Sequence, residues 1–539
     1  MKKGRKQIVI LVIIALALMI TSCTSQDIDQ PTQEPTEKQV TPVKGGAISL
    51  SILSPDHLNP LLDLPEDTYH LMKLIVEPLF SLDETYKIKG MLAEKWNIEN
   101  QGEKVTINLR KDAYWHDGEP FTAQDVKFTL DALRHKNTLS PYKSYIENIS
   151  GYHVIDNHTI EISFANGYIG NLEALIFPIM PAHKYNKLEE VMSAHKWSPI
   201  GTGPYQLQSI QQNKVISLQS NEKYWGKIPY IDNITAKIMN KRQDLIKSFE
   251  AKDVDLFRAI NRDWNRYGED EQLSIYPYDT QKYNFLALNL ENELFKNHQV
   301  RKALQLAINR PKMLEEIHYR QGEVVDIPLS PTSWLYDKEQ KVHPYQPEEA
   351  KEILKQMGWV DTNNNGLVNK EIENKKYEFT FELITNGDNE NRKQEAEIIK
   401  ENLKKVDIGV DIKYLPQEEI IKRIQSKKFQ AILTGWNLSF NPDLSFAFHS
   451  KEIEEGDNFI SYSNAEMDKL FIEALRTNEE EKSKEIYSNI QRKLSQQLPY
   501  ISLYMEKSAL ITNNRIKGPI SPTDYNIFNN IEQWYVEYK

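Results

Sequence analysis

The sequence predicts a large α/β protein, on three observations. Its 539 residues are 40% hydrophobic, enough for more than one core and, at roughly 100–200 residues per domain, for about three structural units. Between residues 377 and 436, alternating apolar stretches exchange with amphipathic ones in the order strand, helix, strand, helix, strand, which builds a parallel or mixed sheet covered by helices. Before residue 224, short alternating stretches and turns surround a helix pattern and add a mixed α and β region.

Taken in order, residues 47–53 (AISLSIL), 105–109 (VTINL) and 159–164 alternate with period two and are predicted strands. Residues 121–133 place Val126, Leu130 and Leu133 on one helical face, with Thr122 as N-cap. Pro347 opens a helix carrying Ala350, Ile353, Leu354 and Met357, and Gly358 stops it. Residues 377–383 form a strand, 391–406 a charged helix, and 410–414 a second strand. A helix over 417–426 and an apolar strand over 429–436 complete the run. A last helix spans about 479–496 behind Asn478, and beyond Pro499 a buried strand covers 500–504.

The beginning of the chain has its own logic. Lys2, Lys3, Arg5 and Lys6 precede 13 unbroken apolar residues at 8–20, the layout of a secretory signal and too short for a comfortable span of about 20 residues. Ile20, Thr21, Ser22 and Cys23 then resemble the bacterial lipobox, so residues 1–22 are expected to be removed and Cys23 to be lipidated. Cys23 is the single cysteine, which rules out an internal disulfide and a multi-cysteine metal site. Residues 24–44 hold three prolines and no aromatic residue, the composition of a flexible tether. The body is therefore expected outside the cytoplasm, held to a membrane by lipid.

Composition also excludes partners. The net charge of −11 repels phosphate backbones and disfavours nucleic-acid binding. Among catalytic signatures, H-E-x-x-H and G-x-S-x-G are missing, and the S-x-x-K matches at Ser140, Ser193 and Ser220 lack their companion motifs. The run from Asp361 to Gly366 imitates the start of a calcium loop, but Ile372 stands where a bidentate glutamate belongs. His57, His116 and His449 could serve a metal chelate only by converging in space.

Several phrases in order, LAEKW at 92–96, LRKDAYWHDGEPFTAQDVKFTL at 109–130, IGTGPYQL at 200–207, NEKYWGKIP at 221–229, DVDL at 253–256, NHQVRKALQLAINR at 297–310 and GWNLSFNPDLSFAFHS at 435–450, resemble the family 5 solute-binding proteins of ABC importers. The resemblance implies a two-lobed, periplasmic-binding-protein-like (Venus flytrap) α/β fold. Lobe 1 would hold residues 45–283 and 508–539, with a subdomain at 79–186, and lobe 2 residues 284–507. It implies a monomer without enzymatic activity, cofactor or metal, which captures a peptide between its lobes and passes it to the transmembrane subunits of an ABC permease. Another solute, an oligosaccharide or a nickel or metal chelate, and a signalling role for the same fold are the alternatives.

The same resemblance nominates site residues. Gly435, Trp436 and Asn437 look like the strand edge that pairs with ligand backbone; Tyr283 and Asn284 would line the cleft at the first lobe crossing. Arg258 and Tyr142 would border it. Many oligopeptide and dipeptide binders carry an aspartate three residues after this tryptophan, to pair with the ligand's α-ammonium group. Here the position is Ser439, and a hydroxyl cannot balance a desolvated ammonium charge. Asp443, slightly downstream, is the expected substitute.

Overall fold

The computed structural model describes residues 42–167, 169–192, 198–211, 213–477 and 479–538; the signal, Cys23, almost all of the tether and Asn478 lie outside the described residues. One sheet carries the architecture. Its main strands are β1 (Ala47–Leu53), β2 (Tyr205–Gln211), β3 (Val215–Ser220), β4 (Asn233–Met239), β5 (Leu256–Ile260), β6 (Leu273–Leu288), β7 (Thr380–Asn386), β8 (Gly409–Leu415), β9 (Ala431–Asn437) and β10 (Tyr500–Asn513), and the short strand Gly322–Val324 also pairs with β10, antiparallel at Tyr504 to Glu506. They lie in the order β8-β7-β9-β6-β10-β5-β1-β4-β3-β2. β7 pairs in parallel with β8 and β9, and β1 in parallel with β4, whereas β6 is antiparallel to both β9 and β10. The sheet is mixed, as the strand and helix order predicts.

Alternation along the two long strands assigns the cores. Leu286 and Leu288 of β6, with Ile501 and Leu503 of β10, enter a core on one face, while Phe285, Ala287 and Tyr500 enter another core on the opposite face. Further along β10 the pattern repeats: Leu510 joins one core and Ala509 and Ile511 a different one. A strand with period-two side chains thus serves two cores at each end. A fifth core lies between a separate four-stranded sheet, which includes Lys104–Leu109 and Thr159–Phe164, and the helix Ala123–Arg134. That helix starts at Thr122 with a full capping box, Thr122 and Asp125 each bonding the other's backbone.

Three expectations change. Residues 377–383 are not one strand: Lys375–Glu378 forms a hairpin with Asn369–Ile372, and β7 starts only at Thr380. Between them Phe379 sinks into the core against Trp359, with ring centroids 4.7 Å apart, and that burial bends the chain. The helix Glu480–Gln497 starts after Glu479, which makes no side-chain capping bond. The final strand runs to Asn513 rather than ending near Tyr504. Among the described residues, no helix is long and apolar enough to cross a membrane.

Arg310 fastens the segments around β10. Its guanidinium donates to Asp326 Oδ1 at 2.8 Å, to the Val325 carbonyl at 2.9 Å and to the Ser502 carbonyl at 3.1 Å. Asp326 Oδ2 also meets His343 Nδ1 at 2.6 Å. Burial by itself would raise the Asp326 carboxyl, but the His343 hydrogen bond and the Arg310 charge outweigh it and hold the group at about 2. Asp326→Ala leaves the buried guanidinium uncompensated and is expected to cost about 3–5 kcal/mol, seen as a lower urea midpoint. Because an unfolded aspartate titrates near ~3.9, the pair's contribution should be complete above about pH 4 and lost as pH falls toward 2.

Candidate functional site

The site begins where the ladder between β6 and β10 breaks. Asp279 pairs with Lys507 and Tyr283 with Met505, so Thr280, Gln281 and Lys282 together face Glu506. Such a bulge frees backbone groups from the ladder and bends the strand. Here the freed groups find other partners. Gln281 N–H donates to Asp524 Oδ2 at 2.9 Å, and the Gln281 carbonyl accepts from Leu438 N–H at 2.8 Å. Thr280 Oγ1 donates to the Glu506 carbonyl at 2.9 Å. The backbone of one residue, Gln281, therefore joins the segment after β9 to the loop that follows β10.

Gln281 is one wall of a cavity of about 30 Å³, shared with Tyr86, Ser330, Ser439, Phe440 and Asp443. That volume suits one or two water molecules, so a peptide residue enters only if the walls separate. They come from distant segments. Tyr86 sits at φ 63° in a turn built on Asp83, whose Oδ1 takes the N–H groups of Thr85 and Lys87. The turn reaches across: Tyr86 hydroxyl donates to the Asp279 carbonyl at 3.0 Å, Trp334 N–H to the Thr85 carbonyl at 3.0 Å, and Lys87 pairs with Glu480. Phe440 lies between the rings of Tyr86 (5.6 Å) and Tyr525 (5.3 Å). The Ser439 hydroxyl accepts from Asn441 N–H at 3.1 Å.

Of the nominated residues, only Ser439 and Asp443 line this cavity. Asp443 Oδ1 accepts from Ser445 N–H at 2.8 Å, starting a short helical turn. Gly435, Trp436 and Asn437 pair on one side with Asn284, Tyr283 and Lys282 of β6. On the other side β7 pairs only with Ala431 and Ile432, so beyond Ile432 that edge carries no strand among the described residues. Trp436 packs on Phe446, a cavity residue, at 5.6 Å between ring centroids. It stands behind the wall rather than on it.

The structure places the remaining nominations away from this cavity. Tyr283 is fully buried in the core beside Phe285, its hydroxyl bonded to Ser502, because its side chain falls on the inner face of β6. Asn284 is buried between Arg392, which donates to its Oδ1, and Glu506. Arg258 is spent on Asp67 Oδ1 at 2.8 Å and Glu66 Oε1 at 3.0 Å, since a buried guanidinium needs local counter-charge. Tyr142 lines a second cavity with Tyr69 and Lys73 and packs edge-on against Tyr145, 5.7 Å away between ring centroids. His116 braces the 201–203 turn through Gly201 N–H and the Gly203 carbonyl, and burial lowers it to about 4. Asp361 closes its own turn by accepting Gly366 N–H at 2.9 Å, and no group of three metal-ligating side chains forms among the described residues.

Tyr86, Gln281 and Asp524 carry no motif, and sequence reasoning missed them. Phe440 lies inside the motif at 435–450, but nothing in one sequence says that it meets Tyr86 and Tyr525. Burial pushes the Asp524 carboxyl up to about 6 even though the Gln281 N–H works against it.

One mixed sheet with separate cores along it, and a small cavity where its two long strands lose register, form the frame of the site. The profile of the bacterial extracellular solute-binding proteins, family 5, matches residues 87–452, and the chain belongs to that family. It is 27% identical over 548 residues to the oligopeptide-binding protein AppA of Bacillus subtilis (strain 168), covering 99% of this chain and 100% of the relative. It is 25% identical to the dipeptide-binding protein of Escherichia coli (strain K12), over 89% and 92% of the two chains. The solved structure of Bacillus subtilis AppA in complex with a nonapeptide superimposes with a TM-score of 0.66 at 28% identity, covering 92% of this chain and all of that one. HbpA2 from Haemophilus parasuis, at 19% identity, shares the fold with a TM-score of 0.80 over 92% and 100%. The two-lobed, periplasmic-binding-protein-like fold is thereby established.

Gly435 is required by close approach rather than by φ. A Cβ there would lie 2.7 Å from Arg392 Nη2 and 2.7 Å from the Tyr283 carbonyl oxygen. Gly435→Ala is expected to cost roughly 1–3 kcal/mol by overpacking, read as a lower thermal midpoint.

Proposed function

We propose that this protein captures peptides between its lobes, with the cavity at Gln281, Ser439 and Asp443 as part of the binding site, and delivers them unaltered to an ABC permease. The lobes would divide at residues 283/284 and 507/508, with the subdomain at 79–186. The register break across Asp279 to Tyr283 and Met505 to Lys507 lies at that division and supports a hinge there. Cys23 would carry the lipid that holds the protein outside the cytoplasm, and residues 24–44 would let it reach its permease.

The observation that carries the peptide reading is relatedness over essentially the full length to an oligopeptide-binding protein whose structure holds a nonapeptide. Beyond Ile432 no strand pairs with β9 on the β7 side among the described residues, although Thr385 and Arg392 donate to the Leu433 and Thr434 carbonyls; a peptide adding its backbone to that edge would displace those side chains. Capture of this type needs no catalytic group. A micromolar complex requires only about −8 kcal/mol, within reach of a few main-chain hydrogen bonds and aromatic contacts.

Random-sequence peptide pools sorted by length, added to the purified protein, test the reading by thermal unfolding. A pool containing a ligand at about 100 times its dissociation constant should add ~2.7 kcal/mol. Peptides recovered from the complex should be intact by mass spectrometry. The reading fails if no length class stabilises the protein, and cleaved peptide would contradict release without chemistry.

A further inference from the structure

We infer that this protein carries a second ligand site, for a phosphomonoester, in a cavity enclosed by the end of the helix Glu66–Met72, the segment 224–227 and the loop 526–532. The cavity measures about 310 Å³ and shares no lining residue with the one at Ser439. The inference is therefore independent of the peptide reading.

Unmatched charge is the first argument. Lys73, Lys89 and Lys227 all line the cavity, and none of them forms a hydrogen bond or an ion pair among the described residues. Aromatic rings are what they touch. Lys73 Nζ lies 3.4 Å from the centroid of the Tyr525 ring and 4.6 Å from that of Tyr69, and Lys227 Nζ lies 4.6 Å from that of Tyr230. Rings attract a cation without neutralising it. Burial accordingly holds the Lys73 ammonium well below the usual lysine range, with no carboxylate opposing the shift. An anion beside it would oppose that shift.

The two carboxylates of the cavity leave this charge standing. Glu77 Oε2 accepts from the Thr202 hydroxyl and from Trp225 Nε1, and Oε1 from the Tyr224 hydroxyl, each at 2.8 Å. These donors are neutral. Burial pushes Glu77 up to about 7 in spite of them, so near neutral pH about half of its charge is gone. Glu532 accepts from Gln533 Nε2 at 3.2 Å and pairs with no lysine. Three ammonium groups thus face two carboxylates, one of them half neutralised, in a chain whose net charge is −11.

The uncharged lining is the second argument. Asn526 and Asn529 line the cavity, and their side-chain amides donate no hydrogen bond among the described residues, although Asn529 is only 5% exposed. A buried amide without an acceptor is costly, and an oxyanion supplies one. No arginine lines the cavity. Arginine's planar fork matches a carboxylate, whereas lysine binds phosphate as a point charge. Trp225, Tyr224 and Phe528 add aromatic wall, and the volume exceeds what inorganic phosphate needs, which leaves room for an organic body. A monoester, whose second proton leaves near pH ~6, brings nearly two negative charges at pH 7.5, against one for a diester.

Thermal unfolding of the full-length protein at pH 7.5 and constant ionic strength tests the site, with glycerol phosphate as the monoester and glycerophosphoglycerol, a lipid-headgroup diester, as the comparison. Glycerol phosphate is expected to raise the midpoint along a saturating curve, and the diester to bind roughly tenfold more weakly or less well still. Lys73→Met, which removes a buried unpaired charge, should fold and should weaken the monoester about 30-fold or more. Lys89→Met, at a half-buried position, should weaken it about 2–5-fold, and decides the matter if Lys73→Met does not fold. A shift that grows without saturation and is equal in the wild type and the variants is general salt stabilisation and overturns the inference. Diester binding as tight as monoester binding overturns it too. Neither result touches peptide capture at the Ser439 cavity.

Discussion

The register break between β6 and β10 is the constraint on which the site depends. Two adjacent strands of 16 and 14 residues span the sheet, and a continuous ladder would keep every backbone group on them occupied. Placing Thr280, Gln281 and Lys282 opposite Glu506 releases the Gln281 backbone, whose N–H then binds Asp524 and whose carbonyl binds Leu438. Without that release the Ser439 segment and the loop after β10 would have no common wall. The bulge creates a polar junction in a sheet that is otherwise sealed by apolar cores on both faces.

Around that junction the structure balances rigid and separable contacts. On one side Arg310, Asp326, His343 and the Ser502 carbonyl form a buried network, and on the other Arg258 is matched by Asp67 and Glu66. Removing one member of such a pair exposes a buried charge, so these networks resist local change. The contacts that cross the cavity are of another kind: Tyr86 with Phe440, and the exposed Lys87 with Glu480. An exposed ion pair contributes roughly 0–1 kcal/mol. A clamshell that must open needs strong bonds within each half and weak ones between them.

Much of this was legible in the sequence, where periodicity had a single cause. β1 and the strand ending at Phe164 match the alternating stretches to the residue, and Thr122 caps its helix as its neighbours Val126 and Leu130 imply. Legibility failed where one residue answered to two environments. β10 feeds cores on both faces, so its far half gives no alternation to read. Phe379 looks like one more residue of a strand until Trp359 draws it inward. Of the residues that motif resemblance nominates, Ser439 and Asp443 line the cavity, whereas the side chain of Tyr283 lies on the face of β6 that turns into the core. Asp524 lies in a loop between Thr523 and Tyr525, where neither spacing nor hydropathy marks it, and only the fold brings it to Gln281.

Closure around a guest is the central claim, and small-angle X-ray scattering of the purified protein measures it most directly. Titration with a binding peptide should reduce the radius of gyration to a plateau, because the cavity seen here is too small to admit a peptide residue without opening first. A radius that stays constant while the peptide reaches saturation would contradict the account.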